Sequence, residues 1–333
     1  MSDPDVSALF PGKRPAWQAW FGIVIFGPGS PLRWAKVHFF KWNGGRGFPL
    51  AAVEGFTSST EAMVALGRPD HVKVVRSFSN TGRLEITPSR ISQGDIFSLK
   101  RPDGRKCEME LLLEEENAQA SLCFEPGWPI RWARFGSILT YTGFHSLVTA
   151  SLSLDGELIE SDGFGILEHV TGAKLPFDFT RVLPASFHWD VVVFPGDSLE
   201  SSAMLSLGLG MRKLKKFKGR AMLPGGRPSS MARGSVDYLE ARGEQGPHGE
   251  PYAFPTVWRS GFRAGGQQFS FTAVANTPPA PVIPGGAMMG FDFEGEVEKD
   301  GRARPVSGWG FTEYGDFSGR PARDILLNSQ SKT

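Results

Sequence analysis

Cysteine is nearly absent from this chain. The 333 residues hold two, Cys107 and Cys123, too few for a disulfide framework. They flank EMELLLEEENAQASL, which reads as a hairpin, and without an export signal two buried thiols are expected rather than a bridge. Surplus charge of one sign is also missing. Lys and Arg number 36 against 35 Asp and Glu, which excludes a global pull toward nucleic acid or an anionic membrane. The most apolar early segment, WFGIVIF, is seven residues long, far below the ~20 of a membrane helix. The start, MSDPDVSALFPGKR, opens with two aspartates, Asp3 and Asp5, and lacks the apolar stretch of a secretory signal. A cytoplasmic chain with no integral membrane segment is the expectation.

Cofactor and nucleophile motifs are missing as well. No Gly-x-Gly-x-x-Gly follows a strand, GLGMRK at 208 fails the dinucleotide pattern, and there is no P-loop. His-Glu-x-x-His, Cys-x-x-Cys and Gly-x-Ser-x-Gly do not occur either. No cofactor and no metal are expected. The chemistry that remains is proton transfer, addition or loss of water, isomerisation, or a pericyclic step assisted by shape.

What is abundant is Gly (41), Phe (26), Pro (25) and Trp (9), a composition that favours strands and turns over helices. Strand-like runs such as RWAKVHFFKW (33–42), HVKVVRSF (71–78), HWDVVVF (188–194) and QFSFTAVA (268–275) recur between Gly-containing turns. SSTEAMVALG (58–67) is the best short helix candidate. Many short strands at regular spacing point to an all-β sandwich or barrel.

One phrase occurs twice. DGFGILEHVTG (162–172) and SGWGFTEYGDFSG (307–319) share two glycines around an aromatic and a glutamate at the same offset. The wider segments 153–169 and 292–314 read as parallel, the second six residues longer at its hairpin. Two copies, each near the end of a half-chain, predict domains at 1–172 and 173–333. Strand alternation puts Phe164, Ile166 and Glu168 on one face and Gly163, Gly165, Leu167 and His169 on the other. In the second copy Trp309, Phe311 and Glu313 oppose Gly308, Gly310, Thr312 and Tyr314. The glycine face reads as hollow, a place where a ligand or another backbone approaches. Glu168 and Glu313 recur, which also suits structural struts. His169 is the member that differs, and an imidazole can exchange a proton near neutrality. Its neighbour Glu168 points away on a regular strand, so direct pairing of the two requires a bulge.

A tandem β chain with Gly-x-Gly-x-x-acid-His-x-x-Gly ending its first half resembles the lipocalin-like superfamily of carotenoid 1,2-hydratases (hydroxyneurosporene synthases). Fungal Diels–Alderases and kievitone-hydratase-type proteins are similar too. The resemblance implies two lipocalin-like β-barrel domains packed side by side, acting on large apolar isoprenoid or polyketide substrates. The acid-His pair of the hydratases falls on Glu168 and His169, and their closing glycine on Gly172. Val170 and Thr171 stand where those enzymes carry Asn-Trp, a departure that bears on carotenoid hydration itself.

Other candidates are His188 and Asp190 in FHWDVVVF, which share a face opposite Trp189 on what reads as an edge or rim strand. WRSGFR offers Trp258 and Arg259 for the polar end of a ligand. The catalytic candidates are therefore His169, Glu168, His188 and Asp190. The substrate-binding candidates are Gly163, Gly165, Trp189, Trp258, Arg259, Trp309, Glu313 and Tyr314. The basic stretch 211–220 reads as a solvated hairpin, with an anionic headgroup as the alternative. The reading is a cofactor-independent enzyme for an isoprenoid, steroid or polyketide-like small molecule, acting by acid–base hydration or dehydration, isomerisation or cyclisation. A non-catalytic carrier of an apolar molecule is the alternative.

Overall fold

The computed structural model describes residues 6–10, 15–42, 60–79, 82–102, 106–135, 139–172, 185–194, 200–209, 214–222, 228–245, 251–283 and 286–316. The chain divides into two compact units, one drawn mainly from residues before 179 and one mainly from those after. In the first, a 3₁₀ turn (Ser7–Leu9) precedes β1 (Trp17–Ile25), β2 (Trp34–Trp42), β3 (Thr60–Gly67), β4 (Val72–Ser79), β5 (Glu85–Ile86) and β6 (Arg90–Gln93). Then follow β7 (Phe97–Lys100), β8 (Cys107–Leu113), β9 (Ala118–Phe135), β10 (Leu139–Leu154) and β11 (Glu157–Gly172). They form one 11-stranded sheet in the order β4-β3-β2-β1-β11-β10-β9-β8-β7-β6-β5. The second unit holds β12 (Ala185–Phe194), β13 (Glu200–Leu209), β14 (Leu214–Met222), β15 (Pro228–Ser230) and β16 (Ala232–Gln245). It continues with β17 (Pro251–Ala264), β18 (Gln267–Ala275), β19 (Ala280–Ile283), β20 (Gly286–Lys299) and β21 (Arg302–Asp316). Its sheet runs β15-β14-β13-β12-β21-β20-β18-β17-β16, with β19 on β20. The all-β architecture expected from the turn-punctuated sequence is the one that forms.

In both sheets the first strand of the unit pairs antiparallel with its last, β1 with β11 and β12 with β21. Alternation then sorts the side chains. Trp20, Val24, Val37, Phe39, Val64 and Leu167 enter the packed core of the first unit. Val192, Trp258, Phe262, Phe271 and Phe291 fill that of the second. Each such fully buried aliphatic or aromatic side chain contributes ~1.5–3 kcal/mol.

Four expectations are corrected, the last of them the hollow glycine face. SSTEAMVALG is strand β3 over Thr60–Gly67, buried along its whole length between β2 and β4. Pairing on both edges outweighs the helix preference of its Ala, Glu and Met. The strand carrying His188 and Asp190 is central, not an edge, because β13 and β21 flank it. The repeat contains no six-residue insertion. Asp155-Gly156 and Asp300-Gly301 are the matching two-residue turns, all four residues at positive φ, as a type I′ hairpin requires. From each turn glycine to the second glycine of the phrase is nine residues, 156 to 165 and 301 to 310. Gly295, in the segment first aligned with Gly156, sits inside β20 against Phe271.

The glycine face is packed rather than hollow. A Cβ on Gly163 or Gly165 would lie 2.7 or 2.3 Å from the carbonyl oxygens of Ile25 and Ile23. On Gly308 or Gly310 it would lie 2.1 or 2.4 Å from those of Val193 and Val191. Glycine is needed because another backbone approaches, and this explains why the phrase is said twice. The cysteines also separate by register: Cys123 faces Glu108, one place from Cys107, so the thiols project to opposite faces and form no disulfide.

Gly165→Val and Gly310→Val are therefore expected to destabilise their units by at least the ~1–3 kcal/mol of overpacking. Thermal melts should show each substitution lowering Tm. An unchanged Tm would mean that the face has room for a side chain.

Candidate functional site

The face of the first sheet opposite its core is buried as well, and it carries ionisable groups. One cross-strand row runs Glu168, Phe21, His38, Met63, Arg76 over β11, β1, β2, β3 and β4. The flanking rows place Phe40 opposite Glu61, and Lys36 opposite Ile23. Lys36, His38, Glu61 and Glu168 are 6%, 3%, 4% and 5% exposed, a degree of burial rarely reached by unpaired charged residues. Aromatic and aliphatic neighbours share the face: Trp17, Ile23, Phe40 and Ile166 are all buried.

The electrostatics of this face push an acid and a base in opposite directions. Burial raises the Glu61 carboxyl from its ordinary value, more than the Arg76 and Lys36 charges lower it; the Arg76 Nε stands 3.9 Å from Glu61 Oε1. Burial, followed by the Lys36 and Arg76 charges, holds the His38 imidazole well below 6.5. Its Nε2 is buried without a hydrogen-bond partner. The Lys36 ammonium sits 4.6 Å from the centre of the Phe21 ring, within cation–π range. Glu168 accepts a hydrogen bond from the Tyr141 hydroxyl. A carboxyl inclined to keep its proton and an imidazole inclined to stay neutral, among apolar walls, are the parts of general acid–base chemistry.

His169 lies on the other face, inside the first unit, and does not meet Glu168. The β11 register is regular on both sides at this point, so the bulge needed to pair them is absent. The His169 ring stacks on Trp20 at 4.8 Å and 15°. Its Nδ1 is 3.2 Å from the Ala8 carbonyl oxygen, which makes Nδ1 the protonated nitrogen. Burial lowers its pKa to about 4, against an opposing contribution from that bond. The ring is thus neutral at pH 7 and is a poor source of a proton.

The second unit brings together four of the sequence candidates, His188, Asp190, Trp258 and Tyr314. His188 Nε2 is 2.7 Å from Asp190 Oδ1, and the two residues are 2% and 0% exposed. Trp258 Nε1 donates to the other carboxylate oxygen at 3.0 Å, so this tryptophan is a core residue bound to Asp190. Tyr314 is buried in the same layer, edge-on to His188. Trp189 and Glu313 face each other on the opposite side of the sheet, with Trp309 half-buried nearby and Arg259 exposed. Gly163 and Gly165 pack against backbone, as described. The side chains of 211–220 lie outside the described residues. A shallow depression of about 420 Å³, bounded by Arg263, Gln267, Glu298 and Asp300 among others, sits by the hairpin turns and holds none of these candidates.

The sequence reading missed Lys36, His38, Glu61, Arg76 and Tyr141. The local signal was present in RWAKVHFFKW, where alternation sets Lys36 and His38 beside Trp34 and Phe40 on one face. That Glu61, Arg76 and Glu168 share that face depends on pairing between distant segments.

Buried neutral histidines make the fold acid-sensitive. His145 is pushed down to about 3 and His169 to about 4 by burial, against an ordinary 6.5. Between those values the unfolded chain binds more protons than the folded one, so stability falls as pH drops from 6.5 toward 4. His145→Phe, which keeps an aromatic ring against Phe164, is expected to flatten that fall. Thermal melts from pH 7 to pH 4 check it, and parallel curves for the two proteins would count against buried neutral imidazole.

No protein-family profile matches the chain, and no curated protein matches it. Solved structures do. A protein described as AttH from Nitrosomonas europaea superposes with a TM-score of 0.63 at 13% identity, over 94% of this chain and 96% of that one. Kievitone hydratase from Nectria haematococca gives 0.62 at 13% identity, over 93% and 92%. CghA with Sch210972 gives 0.51 at 13%, over 90% and 88%. The resemblance that rested on about twenty residues of repeated phrase thus extends to the fold of almost the whole chain. The chain shares the fold of these solved structures.

Proposed function

We propose that the protein is a cofactor-independent acid–base enzyme acting on a large apolar substrate of isoprenoid, steroid or polyketide type. The reactions are addition or loss of water, isomerisation or cyclisation. The observation that carries this reading is the pair Glu61 and His38, displaced in opposite directions on one buried face. The name of kievitone hydratase, which shares the fold, supports the hydratase end of this range.

Two cations beside the pair favour a particular course. Lys36 and Arg76 oppose a carbocation and stabilise negative charge on oxygen, so an enolate-like intermediate fits better than a protonated alkene. In the hydration of an alkene conjugated to a carbonyl, His38 takes a proton from water as its oxygen bonds to the β-carbon. The electron pair of the alkene moves onto the carbonyl oxygen, facing Lys36 and Arg76. Glu61 then delivers its proton to the α-carbon, and the proton on His38 restores Glu61. Dehydration is the reverse. Glu168, held by Tyr141, accepts a hydrogen bond from the incoming water. The apolar residues of the same face, Trp17, Ile23 and Phe40, bind the substrate body.

Native mass spectrometry of protein purified from its source identifies any retained molecule, which then serves as the assay substrate. Glu61→Gln and His38→Gln are each expected to lower its turnover by ~10²–10⁴-fold, the usual worth of a positioned acid or base, with Tm preserved. Full turnover in both variants would remove this face from the chemistry. A molecule that is retained but never transformed would make the protein a carrier.

A further inference from the structure

The layer of the second unit that contains His188 has a counterpart in the first, and the two are built differently. In β1 and β11, Trp20 stands opposite His169 and Gly22 opposite Leu167. In β12 and β21, His188 stands opposite Tyr314 and Asp190 opposite Thr312. Since Gly165 and Gly310 pair with Val24 and Val192 in the same register, the positions correspond one to one. Histidine and aromatic have changed strands, and glycine has become aspartate. In the first unit the space beside Gly22 is filled by Leu122, Met109 and Phe124. The fold therefore closes this layer with apolar side chains, and a buried carboxylate–imidazole pair is not one of its requirements. Burying such a pair in place of apolar groups is on average neutral or destabilising.

The pair is also directional. Asp190 is wholly buried, with Oδ2 taken by Trp258 and Oδ1 by His188 Nε2. The Thr312 hydroxyl stands 3.3 Å from the same Nε2. With Nε2 carrying the proton toward Asp190, the remaining nitrogen, Nδ1, is an acceptor, and the Tyr238 hydroxyl lies 3.2 Å from it. Tyr238 is half-buried. It packs at a small cluster of Phe254, Ala287, Met289 and Tyr314, beside the partly buried Ala241, Ala253 and Ala275. Hydrogen bonds thus link a carboxylate in the core, through His188, to a phenol set among methyl groups at the margin of that core.

We propose that Asp190, His188 and Tyr238 form a proton relay, and that the Tyr238 hydroxyl is a second proton-transfer site, suited to an enolisable carbonyl compound. The Tyr238 proton passes to His188 Nδ1, and the imidazolium formed is stabilised by the Asp190 carboxylate. The phenolate oxygen takes a proton from carbon next to the substrate carbonyl, leaving an enolate. Return of a proton from Tyr238 to a different carbon, as His188 reprotonates the phenolate, completes an isomerisation with no other reactant. Trp258 and Thr312 are positioning residues that fix the carboxylate and the imidazole. This site is independent of the Glu61 and His38 reading.

A test needs no substrate, because a phenol activated by His188 is a better nucleophile toward an acylating reagent. The full-length protein is treated with N-acetylimidazole, and peptide mass spectrometry follows acetylation at Tyr238, with Tyr141 as the internal reference. In His188→Gln and in Asp190→Asn the rate at Tyr238 is expected to fall by about tenfold while that at Tyr141 is unchanged. Asp190→Asn keeps an acceptor for Trp258 and decides alone if His188→Gln does not fold. A lowered Tm with unaltered Tyr238 acetylation would overturn the relay and leave a purely structural network.

Discussion

Everything else in each unit depends on how closely its last strand lies against its first. The carbonyl oxygens of Ile23 and Ile25, and of Val191 and Val193, occupy the space that a side chain at the facing glycines would need. Pairing the two ends of a unit closes a long loop of chain, at an entropic cost that short-range contacts do not meet. Glycine removes the steric obstacle to that closure. Once the seam forms, alternation leaves no freedom. Gly165 inside places His169 inside and Glu168 outside, and a slip of one residue would exchange the two faces along the whole strand.

The repeated phrase was legible in the sequence because it is local in composition: two glycines, an aromatic and a glutamate, written twice. Strand content was legible for the same reason. That the phrase's glycines meet a neighbouring backbone in a packed seam, rather than a hollow, was not. The alignment of the copies was not. SLDG and FEGE look alike as strings, whereas the turn that matters is Asp300-Gly301, recognisable by its positive φ. The β3 segment misled because Ala, Glu and Met favour helix locally, while burial between two strands is a property of the whole sheet. The candidate sites were the least legible part. His38, Glu61 and Glu168 come from three strands far apart in sequence, and Tyr238 meets His188 only across the second sheet.

The two units divide polar and apolar roles differently between their faces. In the first, the interior is closed by Trp20, Phe39 and Phe97, with Phe39 and Phe97 stacked at 4.1 Å. His169 is admitted there as a neutral ring tied to Ala8, and the ionisable groups lie on the opposite face. In the second, Trp189, Val191 and Phe311 are buried on that opposite face, and the carboxylate–imidazole pair is inside. A duplicated phrase can hold the backbone constant while single positions, Gly22 against Asp190 or Trp20 against His188, decide which side of the sheet carries a charge.

This arrangement bears on why buried charge persists in a fold with such extensive apolar packing. An isolated ionised side chain inside a protein costs several kcal/mol, and neutralising it through a shifted pKa is the usual escape. Burial shifts Glu61 and His38 toward that escape from opposite sides, raising the carboxyl and lowering the imidazole. Both shifts favour the neutral form of the group concerned. Lys36 and Arg76 then supply the positive field that such a pair cannot. A sheet face that has already lost its water needs little reorganisation when charge develops on a substrate oxygen, and this is the condition under which fixed dipoles and cations act most strongly. In the proposed mechanism, burial that costs stability is thus the same burial on which the acid, the base and the cations depend.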